Sequence, residues 1–299
     1  MTQPPFNIEQ ILFPTDFSKP SEAAAPHVAG LAKAVNARAT ILNVVPWISG
    51  WHGASAPHVV VGDDVLRKLE LSQEESEASA LKALEALERQ YFQNIQCDLS
   101  IKTGGVAESI VEHAQKIQAD LIMMPTRGFG PSRPFLIGSV TAKVLHDARC
   151  AIWTTPHPRE LEGFRPYRQI ICAMDYRALS RDLLTRALQL ARLFESRLSL
   201  VSAIPCPANG SVPCTGRRSV RLLKSETESV LRQLLQELSI DAPIHVLEGT
   251  VGEVIRTAVA MEDGDLVVIG RGNFEEPSGH LLTHAYEIIW NSPSPVLSL

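Results

Sequence analysis

The residues best placed to do chemistry in this 299-residue chain lie just after its apolar runs. Asp16 follows the run Ile11-Leu12-Phe13-Pro14-Thr15. After Leu121-Ile122-Met123-Met124 come Pro125, Arg127, Gly128, Gly130, Arg133 and then Gly138-Ser139. Nine residues separate Gly128 from Gly138, and no acidic residue occurs from 121 to 146. Glycine lets backbone N–H groups come close to an oxygen-rich ligand. A Gly-Ser pair that opens a helix offers free N–H groups and a positive dipole end to an anion. Two arginines add charge-assisted bonds to phosphate. Taken singly, each residue also has a plain role. Asp16 suits a strand-end turn or helix cap, Gly128 and Gly130 a turn pair, and Ser139 an N-cap.

These residues need elements that deliver them to one place. The apolar runs 11–15, 39–45, 97–102, 121–124 and 150–154 read as strands. They alternate with helical stretches at about 21–36, 66–92, 106–117 and 139–147. In the long second helix, Leu81, Leu84, Leu87 and Tyr91 share one face at spacings of three and four. Strands written as continuous apolar runs between helices mean a parallel sheet covered on both faces. Such sheets bind ligands beyond the carboxyl ends of their strands. The predicted class is α/β.

The pattern then repeats. Ile11-to-Asp16 has a counterpart in Ile170-to-Asp175, and Pro46 one in Pro205, all 159 residues on. Further along the spacing is 145. Gly104, Val106, Glu108, Ile110, Asp120 and Leu121 match Gly249, Val251, Glu253, Ile255, Asp265 and Leu266. The first half therefore carries 14 extra residues of loop and helix between Pro46 and Ile101, where Trp47 to Gly62 reads as a long loop. Trp47 and Trp51 in that loop suit either a lid or local core. The second half's strands fall at 170–174, 198–204, 243–248, 266–269 and 295–298, with helices at 180–195, 251–262 and 284–291. Residues 157–167 hold prolines without periodicity and read as a linker between domains 1–156 and 168–299.

With these residues placed, the chain resembles the universal stress protein family over nearly its whole length, as two tandem copies. Nucleotide-binding members of that family carry Gly, two residues, Gly, nine residues, then Gly-Ser or Gly-Thr after the fourth strand, and an Asp after the first. Asp16, Gly128, Gly138 and Ser139 match, while Pro125 replaces the first glycine. The resemblance implies two doubly wound, five-stranded parallel sheets of flavodoxin or Rossmann-like type. It implies ATP or a related adenine nucleotide in the first domain, with Mg2+ as an optional companion. Asp16 and the backbone at Val44 would face the adenine, and Gly128, Gly130, Gly138, Ser139 and Arg127 would hold phosphates. It also implies a role in stress response as a regulator, with slow ATP hydrolysis at most and no catalytic side chain. Single-copy relatives pair through their last strands. Residues 150–154 and 295–298 are thus expected to make an intrachain pseudo-dimer, with a homodimer of whole chains left open.

In the second half Asp175 and Gly270 stand in register with Asp16 and Pro125. Asn273 replaces Gly128, Thr283-His284 replace Gly138-Ser139, and Glu275 and Glu276 would repel phosphate. This half is expected to be degenerate for nucleotide.

Composition narrows the alternatives. Hydrophobic residues are 45% and charged residues 20%, and the net charge is −5, against a nucleic-acid binder. No apolar run reaches the ~18 residues of a membrane span, and the N-terminus lacks a signal pattern, so a cytoplasmic location is expected. The five cysteines form no CxxC pair. Cys97, Cys150 and Cys172 read as small buried hydrophobes, whereas Cys206 and Cys214 share a loop and suit a redox pair or soft metal site. His280 and His284 are four apart with no third ligand, and no metal site is assigned. Walker A, HExxH and GxSxG patterns are absent. Two rival functions stand beside the nucleotide regulator. One is an interaction scaffold that has lost nucleotide. The other is an enzyme acting on an adenylated or phosphorylated small molecule.

Overall fold

A computed structural model describes residues 7–47, 63–127, 137–155, 164–175, 180–204, 217–271 and 280–299. Contacts divide the chain into two compact units. The first contains β1 (Gln10–Pro14), α1 (Lys19–Val35), β2 (Arg38–Val45), α2 (Asp63–Tyr91), β3 (Cys97–Thr103), α3 (Val106–Lys116), β4 (Leu121–Pro125) and α4 (Ser139–Asp147). Its strands run in the order β3-β2-β1-β4, and β1 pairs in parallel with β2 and β4, as β2 does with β3. Ile11, Leu12, Phe13, Ile41, Leu42, Ile122 and Met123 are fully buried, as expected of strands covered on both faces.

The second unit contains β5 (Ala151–Thr155), β6 (Gln169–Ala173), α5 (Arg181–Leu193), β7 (Arg197–Ile204), α6 (Arg217–Glu237), β8 (Ile244–Glu248), α7 (Val251–Glu262), β9 (Leu266–Ile269), α8 (His280–Asn291) and β10 (Val296–Ser298). Its order is β5-β10-β9-β6-β7-β8. All pairings here are parallel except β5 with β10, which is antiparallel with Trp153 opposite Leu297.

The residues identical between the two halves sit where the backbone makes demands. Asp120 accepts hydrogen bonds from the N–H groups of Glu9 and Gln10, at 2.8 and 2.9 Å. Asp265 does the same for Arg168 and Gln169, at 2.7 and 3.0 Å. Each aspartate thus fixes the start of the central strand against the strand that the aspartate itself precedes, β4 or β9. Gly104 and Gly249 have φ of +146° and +147°, a conformation that L side chains rarely adopt. Each donates its N–H to the end of the neighbouring strand, at Val45 and Ile204. Glu253 closes a capping box with Thr250 at the start of α7, and this hydrogen bonding holds its carboxyl below the usual range.

Three expectations change. Leu81 on α2 is exposed, and Ala80 takes the inward position, because 80, 84 and 87 at spacings of four and three form one stripe while 81 is turned about 120° away from 87. The last helix of the second half starts at His280, not at 284, because Thr283 does not break a helix as Gly138 does. Among the cysteines, Cys172 is buried but Cys97 and Cys150 are only partly so. Desolvation pushes the thiols of Cys97 and Cys172 up to about 12, which keeps them unreactive. Cys206 and Cys214 lie outside the described residues.

Although β5 belongs to the first repeat by sequence, it packs with the second. Trp153 is 1% exposed and its indole Nε1 donates to the hydroxyl of Tyr167 at 2.9 Å. Tyr167 ends the expected linker segment, yet it is buried edge-on against Phe164 and Phe194. Tyr167→Phe leaves the buried indole N–H without its acceptor. The expected loss is about 1–3 kcal/mol in urea unfolding; an unchanged midpoint and slope would remove this hydrogen bond from the account of how β5 is held.

Candidate functional site

The central strand β1 is flanked by β2 and β4, so the chain reverses its winding direction between β1 and β4. A crevice at the carboxyl ends of those strands is where open α/β sheets take ligands. Pro14 pairs with Leu42, and Leu12 with Ile122. The same registers carried past β1 put Asp16 level with both Val44 and Thr126. Val44 is buried at the end of β2. Leu42 turns its carbonyl toward β1 to accept from Thr15 N–H at 2.8 Å. Peptide groups two residues apart in a strand point the same way, so those of Val44 face the space beyond the end of β1.

Asp16 is exposed, and its Oδ1 accepts from Ser18 N–H at 3.0 Å, which is a turn contact. Around it lies a hydroxyl network that sequence reading overlooks. Thr15 Oγ1 accepts from Phe17 N–H at 3.1 Å and from the Ser21 hydroxyl at 2.9 Å. Ser18 caps α1. The Asn43 amide donates to the Thr15 carbonyl at 2.8 Å and is buried. The available signal is Asn43 itself, a polar interruption in an otherwise apolar strand. Phe17 has φ of 59°, so the turn is tightly specified.

At the other side of the crevice, Gly138 is the N-cap of α4 and Ser139 its exposed first residue, so the cap role belongs to the glycine. Gly138 donates its N–H to Thr126 O at 2.9 Å. A Cβ on Gly138 would meet that same oxygen at 3.4 Å. Thr141 bonds the carbonyl of Pro125 at 3.1 Å and is buried. Arg127 is partly buried just after β4, and desolvation lowers its pKa. Gly128, Gly130 and Arg133 lie outside the described residues, as does Trp51. Trp47 is 54% exposed and rests on Gly104, its Nε1 3.3 Å from where a Cβ would stand. Among the described residues, no helix is long and apolar enough to cross a membrane, and no group of three metal-ligating side chains is found.

The universal stress protein family model matches the chain twice, over residues 7–156 and 166–298. The chain belongs to the universal stress protein family. It is 32% identical over 152 residues to a universal stress protein of Methanocaldococcus jannaschii, covering 51% of this chain and 84% of that one. A universal stress protein of Synechocystis is 30% identical over 147 residues, covering 49% and 84%. Among solved structures, a universal stress protein from Archaeoglobus fulgidus aligns over 98% of this chain and 96% of its own, with a TM-score of 0.64 and 17% identity, a likeness of fold.

The two universal stress protein copies differ at the crevice. Asp175 is kept and partly buried, and Gly270 is exposed with Leu183 at its back. Met174 stands where Thr15 stands, and Ser202 where Asn43 stands. Ser202 Oγ is buried without a hydrogen-bond partner among the described residues, since a serine is too short for the reach that Asn43 makes. Thr283 lies within α8 rather than at its start. His284 is exposed, 3.8 Å from Glu287 on the same helix. Asn273, Glu275 and Glu276 lie outside the described residues.

Asn43→Ser imposes the second copy's residue on the first. It should cost about 1–2 kcal/mol of stability, for one lost buried bond and a deserted carbonyl. Faster amide exchange at 15–18 should accompany it. Unaltered exchange there would show that Asn43 does not hold the turn.

Proposed function

We propose that the first copy binds ATP or a related adenine nucleotide, and that the chain is a stress-response regulator rather than an efficient enzyme. The observation that carries this reading is the start of α4. The N–H groups of Ser139, Val140 and Thr141 have no acceptor within the helix. They stand at the switch point, close behind a glycine that leaves no Cβ in the way. An anion placed there gains both the open donors and the helix dipole. Gly138 N–H is already spent on Thr126, so the role of Gly138 is to permit approach, and the donors are the amides that follow it.

The residues present fit a nucleotide in two places. Asp16 and the turned-out peptide of Val44 stand level at the base side. Arg127 and the α4 amides stand at the phosphate side, where any accompanying Mg2+ would sit. Pro125 fits less well, because it has no N–H to give and fixes its own φ. That residue is the observation favouring the second reading, an interaction scaffold of the same fold without nucleotide. The second copy is proposed to be silent toward nucleotide, since Thr283 does not open a helix. The pairing of β5 with β10 supports an intrachain pseudo-dimer.

Gly138→Asp separates binding from folding. Aspartate is a favoured N-cap, so the fold should keep or gain stability. Its charge at the helix start should cost ATP at least ~10-fold in affinity by like-charge repulsion. Calorimetric titration with ATP checks this, and equal affinity in the variant would end the assignment of α4 to phosphate. Pro125→Gly should tighten binding if the missing N–H is what the site lacks. Two proteins that both ignore ATP would favour the scaffold.

A further inference from the structure

The second unit has a cavity of about 500 Å3 at the opposite end of its sheet, where β6 and β7 begin and β8 is about to begin. Its apolar floor includes Leu188, Leu198, Ile240 and Pro243. In a parallel α/β sheet, helices end where strands begin. Here α5 ends at Leu193, α6 at Glu237 and α7 at Glu262. Each helix turns the negative pole of its dipole to this end, although most of the last carbonyls are capped: Leu190, Ala191 and Arg192 accept from Phe194, Ser196 and Glu195, and Leu234, Leu235 and Gln236 from Leu238, Ile240 and Ser239. Glu195, Asp241 and Glu262 also line the cavity, against Arg192 and Arg197. Three carboxylates against two guanidiniums, together with the helix poles, leave this end of the sheet with a net negative character.

Glu262 is the residue that stands out. A carboxylate on the last residue of a helix faces the unfavourable pole. It is nevertheless held there from two sides. His245 Nε2 lies 2.6 Å from its Oε1, and the Ser199 hydroxyl donates to its Oε2 at 3.2 Å. Ser199 in turn accepts from Gln169 Nε2 at 2.8 Å. Gln169 is 1% exposed and lines the cavity, and its Oε1 has no hydrogen-bond partner among the described residues. The first copy keeps only the base of this network, with Gln10 bonded to Thr40 at 2.9 Å. Ser100 and Ile117 stand there in place of His245 and Glu262. The Gln-to-hydroxyl tie is therefore scaffold, and the braced carboxylate is an addition confined to the second copy.

We propose that this cavity is a binding site for a small organic cation, a primary ammonium head on Glu262 with a short apolar tail over Leu188, Leu198, Ile240 and Pro243. The site stands apart from the nucleotide reading and does not depend on it. The head donates N–H bonds to a braced carboxylate, with Gln169 Oε1 as an inner acceptor. The tail removes apolar floor from water.

The test is a titration of the full-length 15N-labelled chain with n-butylammonium, followed by amide shifts. n-Butanol and ammonium chloride serve as tail-only and head-only probes. Saturable shifts confined to 195–199, 240–245 and 262 are expected, at least ~10-fold tighter for butylammonium than for either half probe. Glu262→Gln should weaken butylammonium about tenfold, and the exposed Asp241→Asn about twofold. Equal binding of butanol would overturn the proposal, as would no localised shift. Full affinity in Asp241→Asn together with Glu262→Gln would do so too. If Glu262→Gln does not fold, the Asp241 variant and the comparison of probes still decide it.

Discussion

Parallel pairing of the central strand on both sides is the constraint from which the rest follows. With β2 and β4 both parallel to β1, every connecting helix must start near strand carboxyl ends and finish near strand amino ends. Dipoles therefore add rather than cancel. One edge of each sheet gathers the positive poles of its helices and the other the negative poles. The switch in winding beside β1 then opens a crevice at the positive edge. Asp16, Val44 and the start of α4 have their places because the registers Pro14 to Leu42 and Leu12 to Ile122 leave no alternative.

The same constraint acts on both copies, but the copies have been filled differently. Where the backbone itself makes the demand, the residues coincide. Asp120 and Asp265 tie two strand starts, and Gly104 and Gly249 take the same positive φ. Where only a ligand would make the demand, they part. In place of Thr15 and Asn43, which shape the turn at Asp16, stand Met174 and Ser202, whose hydroxyl has no hydrogen-bond partner among the described residues. Conversely, the amino edge of the second copy has gained a braced carboxylate that the first lacks. Duplicated sheets free one copy's edges to change while the shared backbone devices keep the fold.

Most of the fold was legible, because long apolar runs and a repeat at fixed spacing leave few topologies. Strand and helix ends mostly agree within a few residues. The misreadings have local causes. A period of 3.6 allowed Leu81 to look like a core position when Ala80 held it. An aligned Thr283 was assumed to start a helix because its counterpart glycine does. At the crevice, Asp16 and Gly138 stand out by residue type alone, whereas Gly128 and Gly130 lie outside the described residues. The site was illegible in Asn43, Thr15 and Thr141, whose value lies in partners distant along the chain. The His245 and Glu262 pair was equally hidden, since 17 residues of sequence separate two side chains that lie 2.6 Å apart.

The proposed asymmetry gives one copy a working anion edge and the other none. Native mass spectrometry of the whole chain, equilibrated with ATP, counts the ligands directly. One adenine nucleotide per chain is expected. Two per chain would contradict the degeneracy of the second copy, and an empty chain at saturating ATP would contradict the site itself.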